Sequence, residues 1–142
     1  MTLGALTYGA LATCALALCG CAPEPPPSDW PLERIVGEIL EPSCGQSGCH
    51  SHPEPAQGLD LSSADAVLRT AVGRSPTIGS ASGLYPAIVV PGDPERSFLI
   101  AKVTLPGADE GLPMPPNEWM LTEEAVEVLR EWIATMPAER AR

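Results

Sequence analysis

Two thiols and an imidazole stand close together in Cys44-Gly45-Gln46-Ser47-Gly48-Cys49-His50, the cysteines five positions apart and the histidine directly after the second. C-x-x-C-H is the common signature of covalent haem attachment, and here four residues separate the cysteines instead of two. Thiols that add across the two vinyl groups of a haem fix its edge to the backbone, and the histidine after the second thiol then lies under the iron as proximal ligand. Gly45 and Gly48 let the longer span bulge without a Cβ penalty. This reading gives Cys44 and Cys49 to thioether bonds with haem and His50 to the iron.

Three other chemistries use the same residues. A Cys44–Cys49 disulfide suits an exported chain but leaves His50 without a role. Zinc held by Cys44, Cys49, His50 and His52 has the usual nitrogen and sulfur donors, yet all four come from nine residues and the two imidazoles point apart. A nucleophilic cysteine needs a histidine to activate it, and the chain has no histidine beyond His50 and His52.

A second axial ligand has to come from elsewhere in the chain. Met114 sits in Leu112-Pro113-Met114-Pro115-Pro116, where the prolines fix φ and remove backbone donors, so the loop is stiff enough to hold a thioether in one place. A thioether opposite imidazole favours ferrous iron and raises the potential. The alternative is that Met114 only fills the core, with Met120 and then His52 as replacement ligands. His52, two residues from His50, belongs on the proximal side, and Met136 reads as helix packing.

Helices must position these groups. Pro31 suits a first turn after Ser28 or Asp29, and Ile35, Val36, Ile39 and Leu40 form a helical stripe that Pro42 ends just before Cys44. Gly37 costs that helix about 1 kcal/mol relative to alanine, so it is expected at a close helix crossing. Gly58-Leu59-Asp60-Leu61-Ser62-Ser63 leads into a helix over Ala64–Val72 that Gly73 stops. Arg74–Ser82 reads as a surface loop and Tyr85–Val90 as a short strand. Pro91-Gly92 turns the chain, Asp93 caps, and Pro94 opens a helix to about Val103. Leu105–Met120 lacks periodicity and reads as a long loop. Thr122 caps a last helix that buries Val126, Leu129, Trp132 and Ile133.

The first twenty residues are almost wholly apolar or small and end in Leu18-Cys19-Gly20-Cys21. They are expected to be a lipoprotein-type signal peptide (1–20), because Leu and Gly before Cys21 resemble a lipobox that places a thioether-linked lipid on that cysteine. No Lys or Arg precedes the apolar run. An uncleaved membrane helix is the alternative, at the short limit for spanning. Residues 21–29, with Pro23 to Pro27, form an extended linker, residues 30–137 the domain, and 138–142 a tail.

The chain of 142 residues suffices for one domain. With three Trp, two Tyr and one Phe its core is thin, and a haem would help fill it. A net charge of −10 argues against nucleic acid as a partner. The acidic residues are dispersed, as in any solvated, self-repelling surface, although they also suit a basic redox partner.

The order of short signatures is more specific than any one of them. After His50 come Gly58-Leu59-Asp60-Leu61, Val90-Pro91-Gly92-Asp93-Pro94 with Ser97 and Leu99, Met114-Pro115-Pro116, and Leu121-Thr122 leading to Trp132-Ile133. This order resembles the small cytochrome c domains of planctomycete and myxobacterial exported proteins, in which the longer cysteine spacing is frequent. The resemblance covers Ile35 to Ile133. It departs at Ala134-Thr135-Met136, where Gly-Ala is common, and that affects only the exit from the last helix.

The resemblance implies an all-α, single cytochrome c-like domain with short helices around one covalently bound haem c, and Met114 as distal ligand. The function expected is single-electron transfer without catalytic residues, between redox partner proteins. The setting expected is the periplasmic or cell-envelope face of a membrane, anchored through lipidated Cys21. The rival from another class is a haem-free, disulfide-tied envelope lipoprotein with a structural or interaction role. A haem peroxidase or gas sensor becomes the third reading if Met114 does not bind.

Overall fold

Pro31, at φ −65° and ψ 150°, precedes the first helix. Helix α1 (Leu32–Ile35) continues through a π-helical segment (Val36–Leu40) into α2 (Glu41–Ser43). Pro42 explains the widened turn. It has no N–H, and its ring crowds the carbonyl four residues back, so the turn before it loosens and Glu41 N–H bonds Val36 O, five residues away. The computed structural model describes residues 29–78, 81–104, 111–116 and 120–141. Residues 1–28, with Cys21 and the segment expected to be a signal peptide, and much of the Leu105–Met120 stretch lie outside them.

Gly37 corrects an expectation. A Cβ placed there meets no atom within 4 Å, so among the described residues no helix crosses closely at that point. The helix ends do meet α6 (Glu123–Thr135), but through Ile35, Val36, Ile39 and Leu40, which join Val128, Leu129 and Ile133 in one core. Trp132 packs against the edge of that core, half-buried. Each fully buried aliphatic side chain there contributes about 1.5–3 kcal/mol through removal from water.

Helix α3 (Ala64–Thr70) starts where Ser63 Oγ accepts the Ala66 N–H at 3.2 Å. It is shorter than expected, because Val72 leaves it to form a parallel bridge with Val89. Gly73, at φ +67°, then donates to Val89 O at 3.0 Å. The short strand expected over residues 85–90 is likewise reduced to isolated bridges, Val72–Val89 and Ala87–Ser97. No sheet forms among the described residues, and the all-α expectation holds.

Two more elements differ from expectation. The segment after Gly73 is no plain surface loop: Pro76 is buried, and Ala81, fully buried, opens α4 (Ala81–Leu84). The helix expected from Pro94 begins at Phe98, as α5 (Phe98–Val103). Buried Ser97 explains the delay. Its hydroxyl accepts from Val90 N at 2.8 Å and donates to Asp93 O at 2.8 Å, while Asp93 Oδ1 takes the Arg96 N–H at 3.1 Å. Those bonds close residues 93–97 into a turn. Thr122 caps α6 as expected, accepting from Ala125 N at 3.2 Å.

Candidate functional site

The cysteine–histidine segment hangs from the end of α2. Cys44 N–H bonds Leu40 O at 2.7 Å, and His50 N–H returns to Cys44 O at 3.0 Å, closing the segment into a loop. Both glycines are needed. Gly48 has φ +82°, and a Cβ on Gly45 would stand 3.0 Å from Glu41 Cα and 3.2 Å from its carbonyl oxygen. The spacing of four residues is thus built on one left-handed turn and one close approach to the helix.

His50 is oriented from its far side. Its Nδ1 lies 3.2 Å from Leu59 O, and a carbonyl can only accept, so Nδ1 carries the proton. The lone pair then belongs to Nε2, as a metal-ligating imidazole requires. The Gly58–Ser63 signature holds that carbonyl in place. Asp60, buried, accepts at Oδ1 from Ser62 N at 3.0 Å and Ser62 Oγ at 2.6 Å, and its backbone N–H bonds Thr70 Oγ1 at 3.0 Å. Leu61 N–H donates to His50 O at 2.8 Å.

Burial pushes the Asp60 carboxyl upward, but the two Ser62 hydrogen bonds and the charges of His52 and Arg69 outweigh it, leaving its pKa below the usual 3.8. His52 Nε2 is 2.9 Å from Asp60 Oδ2, close enough for an ion pair yet off the line of a hydrogen bond.

Residues far apart in sequence enclose a cavity of about 290 Å³, open on one side. Cys44, His50 and Met114 all line it, among walls that include Leu59, Leu61, Ile88, Phe98, Leu99 and Val103. Met114 N–H bonds Lys102 O at 3.0 Å, which docks the proline-rich segment on the end of α5. Pro115 beside it is buried.

The other candidates stand elsewhere. Cys49 is exposed and does not line the cavity. Met120 is an exposed side chain, Met136 is buried in the core, and His52 is exposed beside Asp60, so none of them reaches the cavity. Cys44 and Cys49 are free thiols. Burial, and after it the nearby Cys49, pushes the Cys44 thiol up to about 11, so with no metal or haem bound it stays protonated near neutrality. No cluster of three or more metal-ligating His, Cys, Asp or Glu side chains occurs among the described residues.

Sequence reasoning missed several wall residues. Pro76, Thr77 and Ile78 come from the segment read as surface loop, and Gln57, with φ +57°, stands at the rim, where Thr77 Oγ donates to its Oε1 at 3.0 Å. Lys102 was legible in principle. It falls one helical turn after Phe98, as Val103 does after Leu99, so it shares the cavity face of α5.

The sequence matches the family described as Planctomycete cytochrome C over residues 47–118, half of the chain. The chain belongs to this family of cytochromes c. The match takes in Cys49, His50 and Met114 and begins just after Cys44. No curated protein and no solved structure matches. Membership makes this a cytochrome-type electron carrier that binds haem.

The cavity suits that cofactor on its own terms: it is an apolar slot lined by Cys44, His50 and Met114, of which Met114 is distant in sequence from the other two. Imidazole with thioether is the donor pair of cytochromes c.

Proposed function

We propose that the protein is a monohaem c-type cytochrome that carries single electrons outside the cytoplasm, tethered to a membrane through a lipid on Cys21. Cys44 and Cys49 would hold the haem through thioether links, and His50 and Met114 would hold its iron. The observation that carries this reading is the convergence of Cys44, His50 and Met114 on one apolar cavity, with His50 Nδ1 committed to Leu59 O.

The bound haem supplies a one-electron couple, and the rest is the work of the chain. His50, donating through Nδ1–H, keeps Nε2 basic and its ring fixed. The proline-flanked Met114 offers a neutral, soft donor that favours the reduced state. Apolar walls exclude water and disfavour the extra positive charge of the oxidised state, which raises the potential further. If His50 and Met114 both held the iron, no position would be left open for a substrate, which suits exchange of single electrons with redox partner proteins.

Absorption spectroscopy tests the reading on protein from a host with cytochrome c maturation. Reduction by dithionite should give the sharp visible bands of a six-coordinate ferrous haem that carbon monoxide does not perturb. A five-coordinate spectrum that shifts with carbon monoxide supports ligand binding or peroxidase chemistry instead.

A further inference from the structure

The His50 imidazole is held by a peptide group that is itself held. Leu59 C=O and Asp60 N–H belong to one planar amide. On one edge of it, Leu59 O lies 3.2 Å from His50 Nδ1. On the other edge, Asp60 N–H donates to Thr70 Oγ1 at 3.0 Å. Thr70 is the last residue of α3. Its single hydroxyl proton goes to Ala66 O at 2.8 Å, with Asp60 O at 3.0 Å as the other acceptor. That leaves the lone pairs of its oxygen for the Asp60 N–H. The hydroxyl is thus fixed by its own helix and clamps the backbone of residue 60, one peptide group away from the imidazole.

Hydrogen bonds in series polarise one another. A bonded N–H makes the carbonyl of the same amide a stronger acceptor, and a stronger acceptor at Nδ1–H raises the basicity of Nε2. A more basic imidazole favours ferric iron, because second-shell hydrogen bonding is one of the levers on a haem's potential. We propose that Thr70 is a positioning residue for the proximal ligand, an inference that rests on the haem reading above. Through the Leu59–Asp60 amide its hydroxyl orients His50 and strengthens it as a donor, which holds the midpoint potential down. Thr70 does not line the cavity, so it acts through His50 alone.

The test compares the haem-loaded wild type with Thr70→Val, which removes the hydroxyl, and Thr70→Ser, which keeps it. The midpoint potential and the His50 Nδ1–H proton resonance of the ferrous protein are read for each. Thr70→Val should keep its haem, raise the potential, and move the resonance upfield with faster exchange against deuterium. Thr70→Ser should return all three to wild-type values. Thr135→Val is the control. Its hydroxyl also bonds a carbonyl four residues back, Glu131 O at 2.9 Å, but on the exposed end of α6, so its loss should move none of them. If Thr70→Val does not fold, Thr70→Ala carries the same expectations.

A Thr70→Val protein that melts lower, but keeps the wild-type potential and resonance, makes Thr70 merely structural and overturns the proposal. Equal shifts in Thr70→Ser overturn it too, since the hydroxyl would then not be their cause, and so do equal shifts in Thr135→Val. Wild-type protein without haem defeats the parent reading and this one together, whereas haem with an unmoved potential in Thr70→Val defeats this one alone.

Discussion

Glycine-to-alanine substitutions at three positions should have effects of different sign and cause. At Gly37 a Cβ meets nothing within 4 Å and the backbone is helical, so alanine loses no contact and lowers the entropy of the unfolded chain. The expected gain is about 0.5–1 kcal/mol. At Gly48 there is also open space, but φ is +82°, and a left-handed alanine costs about 1–2 kcal/mol. At Gly45 the obstacle is steric: the new Cβ stands 3.0 Å from Glu41 Cα, a backbone atom that cannot rotate away. Overpacking of that kind costs about 1–3 kcal/mol and pushes on the neighbouring Cys44.

For a domain near this size, 1 kcal/mol moves the melting temperature by roughly 4–8 °C. Thermal unfolding followed by circular dichroism, together with the ratio of haem to protein by absorbance, reads all three variants. Gly37→Ala should melt higher with full haem content. Gly48→Ala and Gly45→Ala should melt lower, and Gly45→Ala should also lose haem. A loss at Gly37 as large as that at Gly48 would refute the reasoning, because it would mean that a helix does cross closely at Gly37.

Three further outcomes follow, two from the structure and one, at Cys21, from the sequence. Met114→Ala should abolish the weak far-red absorption band of a ferric thioether bond and lower the midpoint potential, while Met120→Leu should change neither, because the exposed Met120 is absent from the cavity. Cys21→Ser should leave the membrane fraction or accumulate as unprocessed precursor, read by fractionation and immunoblotting. Because the folded-state pKa of Asp60 is lowered from 3.8, the stability it contributes is present above that value and is lost as the pH falls below it toward the folded-state pKa. Asp60→Asn should therefore be less stable at neutral pH, and its melting temperature should fall less steeply on acidification.

What the sequence revealed depended on the range of the interaction involved. Ser63 and Thr122 cap helices through bonds three residues long, and Gly45 and Gly48 meet local backbone demands, so these were readable from type and spacing. The start of α5 was not, because a buried Ser97 hydroxyl ties Val90 to Asp93 and overrides the usual preference of Pro94 for a helix's first turn. Gly37 misled because a glycine in a helix has several causes, and here it lies on the solvent side of a π-helical segment whose Val36, Ile39 and Leu40 are buried. The cavity was half legible. Cys44, His50 and Met114 announced themselves by chemistry, whereas Pro76, Thr77, Ile78 and Lys102 line it through tertiary folding, and only the one-turn spacing of Phe98 and Lys102 left a trace in the sequence.

The central claim is that this chain holds haem covalently through Cys44 and Cys49. Intact-mass spectrometry of the denatured polypeptide, after acid-acetone extraction and from a maturation-competent host, tests it most directly. The chain should be heavier by one haem, and the Cys44→Ser, Cys49→Ser double variant should lose that mass. A wild-type polypeptide at its bare mass, with haem in the extract or none at all, would contradict the account.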